Sequence, residues 1–572
     1  MLEMVRNDGM VTAAHPLAVQ AGLNILKKGG NAVDAAVATA FVLDTVDPAD
    51  SGIGGRGSMA VYLSKSDEVV SIDFNTLCPS KATPDMYEVL PTGAGAWWSV
   101  KNEEDMIGYK AVSLPGVVSG LCLALERYGT MKLRDVMRYG IRVAREGYPI
   151  NRFVEMAIDH SYEFISGFPA TARIFLKSGK PRVRGDILSN PDYARTLEKI
   201  AKGGPDVFYK GEIAKAIARD MERNGGLITL EDLARYEAEV TKPGRTTYRG
   251  FEVYSSTPTC SGGPLILQTL NILEELDLRK HGHLTAGSVH LMCEAMKLAW
   301  ADRLEFMADP RYAKVPMKGI LSKKYAAELA KKVDPKKAAA QVRHGDPWKY
   351  EGSGGSARAK SGALPVERSS STTHANVIDR ERNMVSLTQT LCSWFGSGVT
   401  VPGTGIVLNN GMYWFNPNPG TSNSIQPGKK HLNNQGETLL LKDGRPFMAL
   451  GSPGGRRLLT TVIEMITAVV DYGLGERAVA CPRFHIEDRE PIIIEHVWLN
   501  DVLCVHGVCR DLEKMGHRIA VGYGPYMTLG NYISGPASLI LIDPKTRELR
   551  GAADPRQPGA IAGYSGVQEY IA

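Results

Sequence analysis

The chain has 572 residues, 43% of them apolar and 23% charged, which are ordinary values for a globular protein. A net charge of +5, from 67 basic and 62 acidic residues, is spread too thinly to predict a nucleic-acid or anionic-membrane partner, and no dense Lys/Arg run offers either. No apolar run approaches the roughly 18 residues needed to cross a bilayer. The opening MLEMVRNDGMVTAAHPLAVQ has no apolar core of a signal peptide, so a cytoplasmic protein is expected.

In chain order, residues 15–26 read as a helix with Pro16 in its first turn and Gly29-Gly30 beyond its end. A second, Ala-rich helix starts at Asn31. Ser51 to Gly57 (SGIGGRG) is a Gly-rich loop before the strand-like residues 58–63. It lacks G-K-[ST] and runs helix–loop–strand, which excludes a nucleotide-binding role. Residues 68–74 read as a strand and 117–128 as a helix. Helices dominate to about residue 242, with a cap at Thr229. A short strand at 251–255 and helices at 265–276 and 286–307 follow. The lysine pairs 323–324, 331–332 and 336–337 fall at the spacing of a solvated helix face.

Residues 341–371 change character, to a Gly/Ser/Ala/Pro-rich linker that would tolerate cleavage. Strand signals resume at 375–379 and 384–390, joined by the polar turn Arg380-Glu381-Arg382-Asn383 as a hairpin. Further strands are expected at 438–441 and 446–449, a helix at 458–470, and a closing strand at 537–542. Helices and strands on both sides of a linker imply a layered sheet-and-helix fold. The eight cysteines form no C-x-x-C pair, and Cys504 and Cys509 stand apart from other ligand types. Free thiols in a reducing compartment are expected, with no metal site and no cofactor.

Three features carry chemistry. Thr372 sits at a strand start behind the linker. Cleavage of the Ser371–Thr372 bond would give it a free α-amine able to act as base for its own hydroxyl. Gly451-Ser452-Pro453-Gly454-Gly455 lies at a strand-to-helix junction, where unobstructed backbone amides can hold an oxyanion. Thr390 lies across the hairpin, within reach of Thr372. Taken singly, each has an ordinary explanation: a polar loop, a tight turn needing glycine, a ladder threonine. Ser452 is misplaced for a G-x-S-x-G nucleophile elbow.

Together with AAHPLAVQAGLNILKKGGNAVDAAVA, ADRLEFMADPRY, the TTH…VSLTQT…FGSG segment, GIVLNN, GSPGGRR and GAADPRQPGAIAGY, these features make the chain resemble the γ-glutamyltranspeptidases over nearly its whole length. The resemblance implies an α+β fold, the four-layer αββα sandwich of N-terminal-nucleophile hydrolases. It implies a precursor cut between Ser371 and Thr372 into residues 1–371 and 372–572, which form one intertwined domain. Thr372 would be the nucleophile, Thr390 the hydroxyl that orients it, and Gly454 and Gly455 the oxyanion hole. The substrate would be a small-molecule amide, cleaved through an acyl-enzyme. The family includes simple heterodimers of large and small subunits and dimers of these.

The departures from the family pattern fall on donor recognition. Asn75 stands where members place an Arg for the glutamyl α-carboxylate, and Asn433-Asn434 where they place two Ser. Cys392, Gly411 and Trp414 replace the Asn, Gln and Asp that hold the α-amine. Loss of the Arg removes a bidentate anchor, and Trp in place of Asp removes the ammonium partner. The expectation is retained catalysis with a changed acyl donor, smaller, more apolar or of different carboxylate geometry; nearby Arg56 offers a replacement positive charge. The segment 416–431 lacks the lid Tyr, which favours hydrolysis over transfer. The alternatives are a true γ-glutamyl hydrolase or transferase with remodelled contacts and, in a different class, an inactive homologue acting as a binding protein. Retention of Thr372, Thr390, Gly454 and Gly455 argues against the last.

Overall fold

A computed structural model describes residues 2–91, 99–256, 261–352, 371–495, 507–521, 535–556, 559–565 and 568–571. Two large sheets organise them. Their strands are β1 (Leu2–Arg6), β2 (Gly9–Ala13), β3 (Arg56–Leu63), β4 (Glu68–Phe74), β5 (Glu239–Thr241), β6 (Gly244–Tyr248), β7 (Phe251–Ser255), β8 (Ser371–Ile378), β9 (Met384–Cys392), β10 (Thr438–Lys442), β11 (Arg445–Gly451), β12 (Ser538–Ile542), β13 (Leu549–Ala553), β14 (Ala560–Ser565) and β15 (Gln568–Ile571). The eight-stranded sheet has the order β5-β4-β3-β9-β8-β2-β14-β15, and the seven-stranded sheet β1-β13-β12-β11-β10-β7-β6.

Three apolar cores follow from these sheets. One joins the outer face of the eight-stranded sheet to helices α1 (Pro16–Lys27), α2 (Ala32–Val46), α3 (Val117–Tyr128) and α4 (Leu133–Glu146). Helix α2 is buried along its whole length, as its small Ala, Thr and Val side chains permit. A second core lies between the sheets, with Met10, Tyr62, Ile378 and Met384 from one and Leu439, Ala449, Ile540 and Leu549 from the other. The third joins the seven-stranded sheet to α5 (Gly262–Glu274), α6 (Ala286–Phe306) and α7 (Arg457–Val470).

The expected helices at residues 117–128, 286–307 and 458–470 appear within a residue of their expected bounds. Thr229 accepts the Asp232 amide in a reciprocal capping box. Four differences stand out. The N-terminal strands β1 and β2 were not foreseen, because MLEMVRNDGMVTA lacks clean alternation. The 537–542 strand does not close the series, since β13, β14 and β15 follow it. The lysine pairs do not share one helix: it spans Lys323–Ala330, and residues 331–332 and 336–337 lie in turns beyond it. The first part of the expected linker is anchored, with Gln341 bridged to Arg489 and a 3-10 turn at Pro347–Tyr350. Residues 353–370 of that linker lie outside the described residues, and so do Cys504 and residues 257–260.

Candidate active site

The hairpin β8–β9 pairs centrally in the eight-stranded sheet, and its register slips at the expected cleavage point. Ser371 pairs with Cys392 and Thr373 with Gln389, so Thr372 alone faces both Thr390 and Leu391. A bulge of this kind bends the strand and re-aims a side chain. The Ser371 carbonyl oxygen accepts hydrogen bonds from the hydroxyls of both Thr372 and Thr390. The Thr390 hydroxyl in turn accepts from the Cys392 amide at 2.7 Å, which fixes its orientation. In the uncleaved chain the Thr390 hydroxyl is thus directed at the Ser371 carbonyl. Thr372 is 5% exposed, and Cys392 holds a left-handed φ of 84°. Such a conformation is uncommon for Cys and easier for Asn, so the bulge carries strain beside the scissile bond.

Strand β11 runs opposite the hairpin in the other sheet. Ser386 Oγ donates to the Leu450 carbonyl at 2.9 Å, and a Cβ on Gly451 would come within 2.1 Å of the His374 ring. The chain then turns through Gly454 (φ 125°) and Gly455 (φ 61°) into α7. Both angles favour glycine. Neither glycine N–H has an acceptor among the described residues. Two free amides at a helix N-terminus form a place for negative charge.

The residues at the family's donor positions are committed to other partners. Asn75 Nδ2 donates to the His431 carbonyl at 3.2 Å, and Asn75 Oδ1 accepts the Thr76 amide at 3.0 Å. A Cβ on Gly411 would lie 1.9 Å from Ser113 Oγ, so no longer side chain fits there without movement. Trp414 stacks on His431, with centroids 6.5 Å apart and planes at 24°, and packs with Cys392, Tyr413 and Met106. Asn434 Oδ1 accepts from Arg303 Nη2 at 2.6 Å, and the Asn433 carbonyl accepts from Ser261 Oγ at 2.7 Å. None of these side chains offers a charge.

Sequence reasoning missed the polar groups that do approach the hairpin. Gln435, next to the Asn pair, donates through Nε2 to the Thr388 carbonyl at 3.0 Å and accepts through Oε1 from Arg56 Nη1 at 3.1 Å. Ser58 donates to Glu437 at 2.6 Å. Burial raises the Glu437 carboxyl to about 7, against the pull of its hydrogen bond from Ser58. Burial lowers His374 to about 4, so it stays neutral between Thr388 and Asn376. Asn433-Asn434 was the visible motif; Gln435 and Glu437 lie in the irregular segment just before β10 and are placed by tertiary contacts, which no short motif records.

A sequence profile of the family Gamma-glutamyltranspeptidase matches residues 18–564. The glutathione hydrolase proenzyme of Escherichia coli (strain K12) is 37% identical over 577 residues, covering 97% of this chain and 92% of its own length. The acylase ACY 1 proenzyme of Pseudomonas sp. (strain SE83) is 37% identical over 526 residues, covering 91% of each chain. The crystal structure of cephalosporin acylase from Bacillus halodurans superposes with a TM-score of 0.85 at 28% identity, over 99% of this chain and 97% of the other. The chain belongs to the γ-glutamyltranspeptidase family. It is an autoprocessed amidohydrolase or acyltransferase of the N-terminal-nucleophile class.

Proposed function

We propose that Thr372 is the nucleophile of both self-cleavage and catalysis, in a four-layer αββα fold. In the precursor, Thr372 Oγ1 attacks the Ser371 carbonyl carbon and closes a five-membered ring. Thr390 polarises the carbonyl oxygen. The Ser371–Thr372 C–N bond breaks, the amide nitrogen takes the hydroxyl proton, and water hydrolyses the resulting ester. Residues 1–371 then end in a carboxylate, and residues 372–572 begin with a free α-amine. In the mature enzyme that amine takes the Thr372 hydroxyl proton as the oxygen attacks a substrate amide. The Gly454 and Gly455 amides hold the oxyanion. The leaving amine departs with the proton, and water or an acceptor amine takes the acyl group.

The observation that carries this reading is the Ser371 carbonyl oxygen, which receives both threonine hydroxyls. A denaturing gel tests it. The unsubstituted chain should split from one band of 62.1 kDa into two, with Thr372 as the new N-terminus by Edman sequencing. Thr372→Ala should stay as one band and lose amidase activity by at least about 10^4-fold, as removal of a nucleophile does elsewhere. A Thr372→Ala chain that still splits at this bond would overturn the assignment.

The acyl donor in this reading is a small-molecule amide without the γ-glutamyl head group, because the family's carboxylate and ammonium contacts are absent or occupied. A cytoplasmic location belongs to the same reading; the six cysteines among the described residues are free. A second reading, a true γ-glutamyl hydrolase, is favoured by the similarity to glutathione hydrolase proenzymes. Turnover of γ-glutamyl-4-nitroanilide at rates matching the best other donor would establish it.

A further inference from the structure

Arg56 opens β3 and pairs with Thr390 across the ladder. Directly opposed residues project to the same face, with Cβ atoms about 5 Å apart. Arg56 therefore shares the face that carries the Thr390 hydroxyl and the scissile carbonyl. Its side chain is 3% exposed. Nε–H donates to Cys392 Sγ at 3.1 Å and Nη1–H to Gln435 Oε1 at 3.1 Å. Both acceptors are neutral, and Arg56 has no other hydrogen bond or ion pair among the described residues.

A guanidinium cannot shed its proton to escape burial. Three other buried arginines in this molecule have carboxylates. Arg456 meets Glu487 at 2.9 Å, Arg483 meets Asp554, and Arg556 meets Glu495 at 2.9 Å. The cations and acids around Arg56 are already committed. Asp73 pairs with Lys430 at 2.9 Å, and Glu437, raised to about 7 by burial, has Ser58 on its Oε2. His431 is held neutral by burial first and then by the charge of Arg56 itself. A buried charge left without a partner is strongly unfavourable unless something else supplies one.

We propose that Arg56 is the anchor for a carboxylate on the acyl donor, and that the substrate class is amides of dicarboxylic acids lacking an ammonium group. This rests on the assignment of Thr372 as nucleophile. The missing ammonium follows from the surroundings: Trp414 and Tyr413 form an apolar wall beside Cys392. Gln435 holds the guanidinium in place while leaving its remaining N–H groups for a bidentate carboxylate.

The test uses the full chain and its Arg56→Gln and Arg56→Lys variants. The donors are 4-nitroanilides of succinic, glutaric and adipic acid, with neutral valeryl and zwitterionic γ-glutamyl 4-nitroanilides for comparison. The best dicarboxylic donor should exceed the valeryl donor in kcat/KM by at least about 50-fold. That ratio should fall at least about 20-fold in Arg56→Gln and recover in part in Arg56→Lys. Equal kcat/KM for charged and neutral donors, or an unchanged ratio in Arg56→Gln, would overturn the proposal. A second measurement needs no turnover. Succinate, glutarate or adipate should raise the melting temperature of the unsubstituted chain and not that of Arg56→Gln; equal shifts, or none, also overturn it. Failure of the nucleophile assignment appears separately, as a precursor that never splits on a gel.

Discussion

Two buried charged clusters in this molecule are built on opposite terms. In the first, Lys297 Nζ lies 2.7 Å from Glu294 Oε1 and 2.6 Å from Glu490 Oε1. Glu490 also accepts from His517 Nδ1 at 2.9 Å, and His517 Nε2 meets His290 Nδ1 at 2.8 Å. The far nitrogen of His290 donates to the Asp334 carbonyl at 2.7 Å. Both carboxylates of this cluster thus face the Lys297 ammonium, and Glu490 faces the His517 ring as well. The second cluster is Arg56 with Cys392 and Gln435, a buried cation with only neutral neighbours. The first cluster is complete and holds segments far apart in sequence together; the second is complete only with an anion from outside. Burial alone does not separate a structural charge from a functional one, but charge balance does.

Breaking the balanced cluster should have the largest effect. Glu490→Gln leaves the Lys297 ammonium and His517 short of a partner, and removing one member of a buried pair costs about 3–5 kcal/mol. Chemical denaturation at pH 7 reads this directly. Glu490 also predicts a pH effect. Burial opposes its ionisation, but hydrogen bonds from His517 and Lys297 outweigh that and bring it down to about 2. A depressed carboxyl adds stability above its unfolded value of 4.5, and loses it as pH falls towards 2. The variant should lack that acid-side loss.

The same kind of change at Arg56 should act in the opposite direction. Arg56→Met removes a buried charge that no protein carboxylate balances, and apolar replacements of buried charges stabilise by about 1–4 kcal/mol. The gain is expected in buffer free of small carboxylates, by the same denaturation measurement, and should shrink when a dicarboxylate is added to both chains. A loss of several kcal/mol in Arg56→Met would place Arg56 with Lys297, as a structural charge.

Local chemistry made much of the fold legible. Pro16 and the Asn31 capping box announce α1 and α2, and alternation gives β3, β4, β8 and β9. The strands that were missed, β1, β2, β5, β6 and β13 to β15, owe their existence to partners: β1 pairs with β13, β2 lies between β8 and β14, β5 pairs with β4 and β6 with β7. Their segments alternate too weakly to declare themselves alone. Thr372, Thr390, Gly454 and Gly455 stand out in the sequence because the proposed chemistry constrains residue type and local backbone together. The donor side was visible only as a set of losses. What replaces them depends on tertiary pairing, since Arg56 reaches Cys392 because β3 pairs with β9, and Gln435 reaches Arg56 and the Thr388 carbonyl from the segment before β10. One expectation changed its meaning: Gly411 is not an empty family position but one closed by Ser113.

A third buried charge sharpens the comparison, because it escapes imbalance by taking a proton. Asp44 lies at the inner end of α2, where Oδ1 accepts from Ser51 Oγ at 2.6 Å and from Gln389 Nε2 at 2.8 Å. Its Oδ2 has no partner among the described residues. Burial first, and the nearby charge of Asp47, raise the carboxyl to about 8 against the hydrogen bond from Ser51. The folded chain therefore holds a proton that the unfolded chain releases above its value of 3.8. The sign is fixed: stability is fully present below pH 4 and falls as pH rises towards 8, by up to about 1.4 kcal/mol per pH unit for one proton. Asn keeps the neutral shape without the proton. Asp44→Asn should thus match the unsubstituted chain near pH 4, exceed it near pH 8, and leave a shallower slope set by Asp47 and Glu437, whose carboxyls are also raised by burial. Stability measured at several pH values on both chains decides the matter; parallel curves would mean that Asp44 is ionised in the fold and balanced by a group not seen beside it.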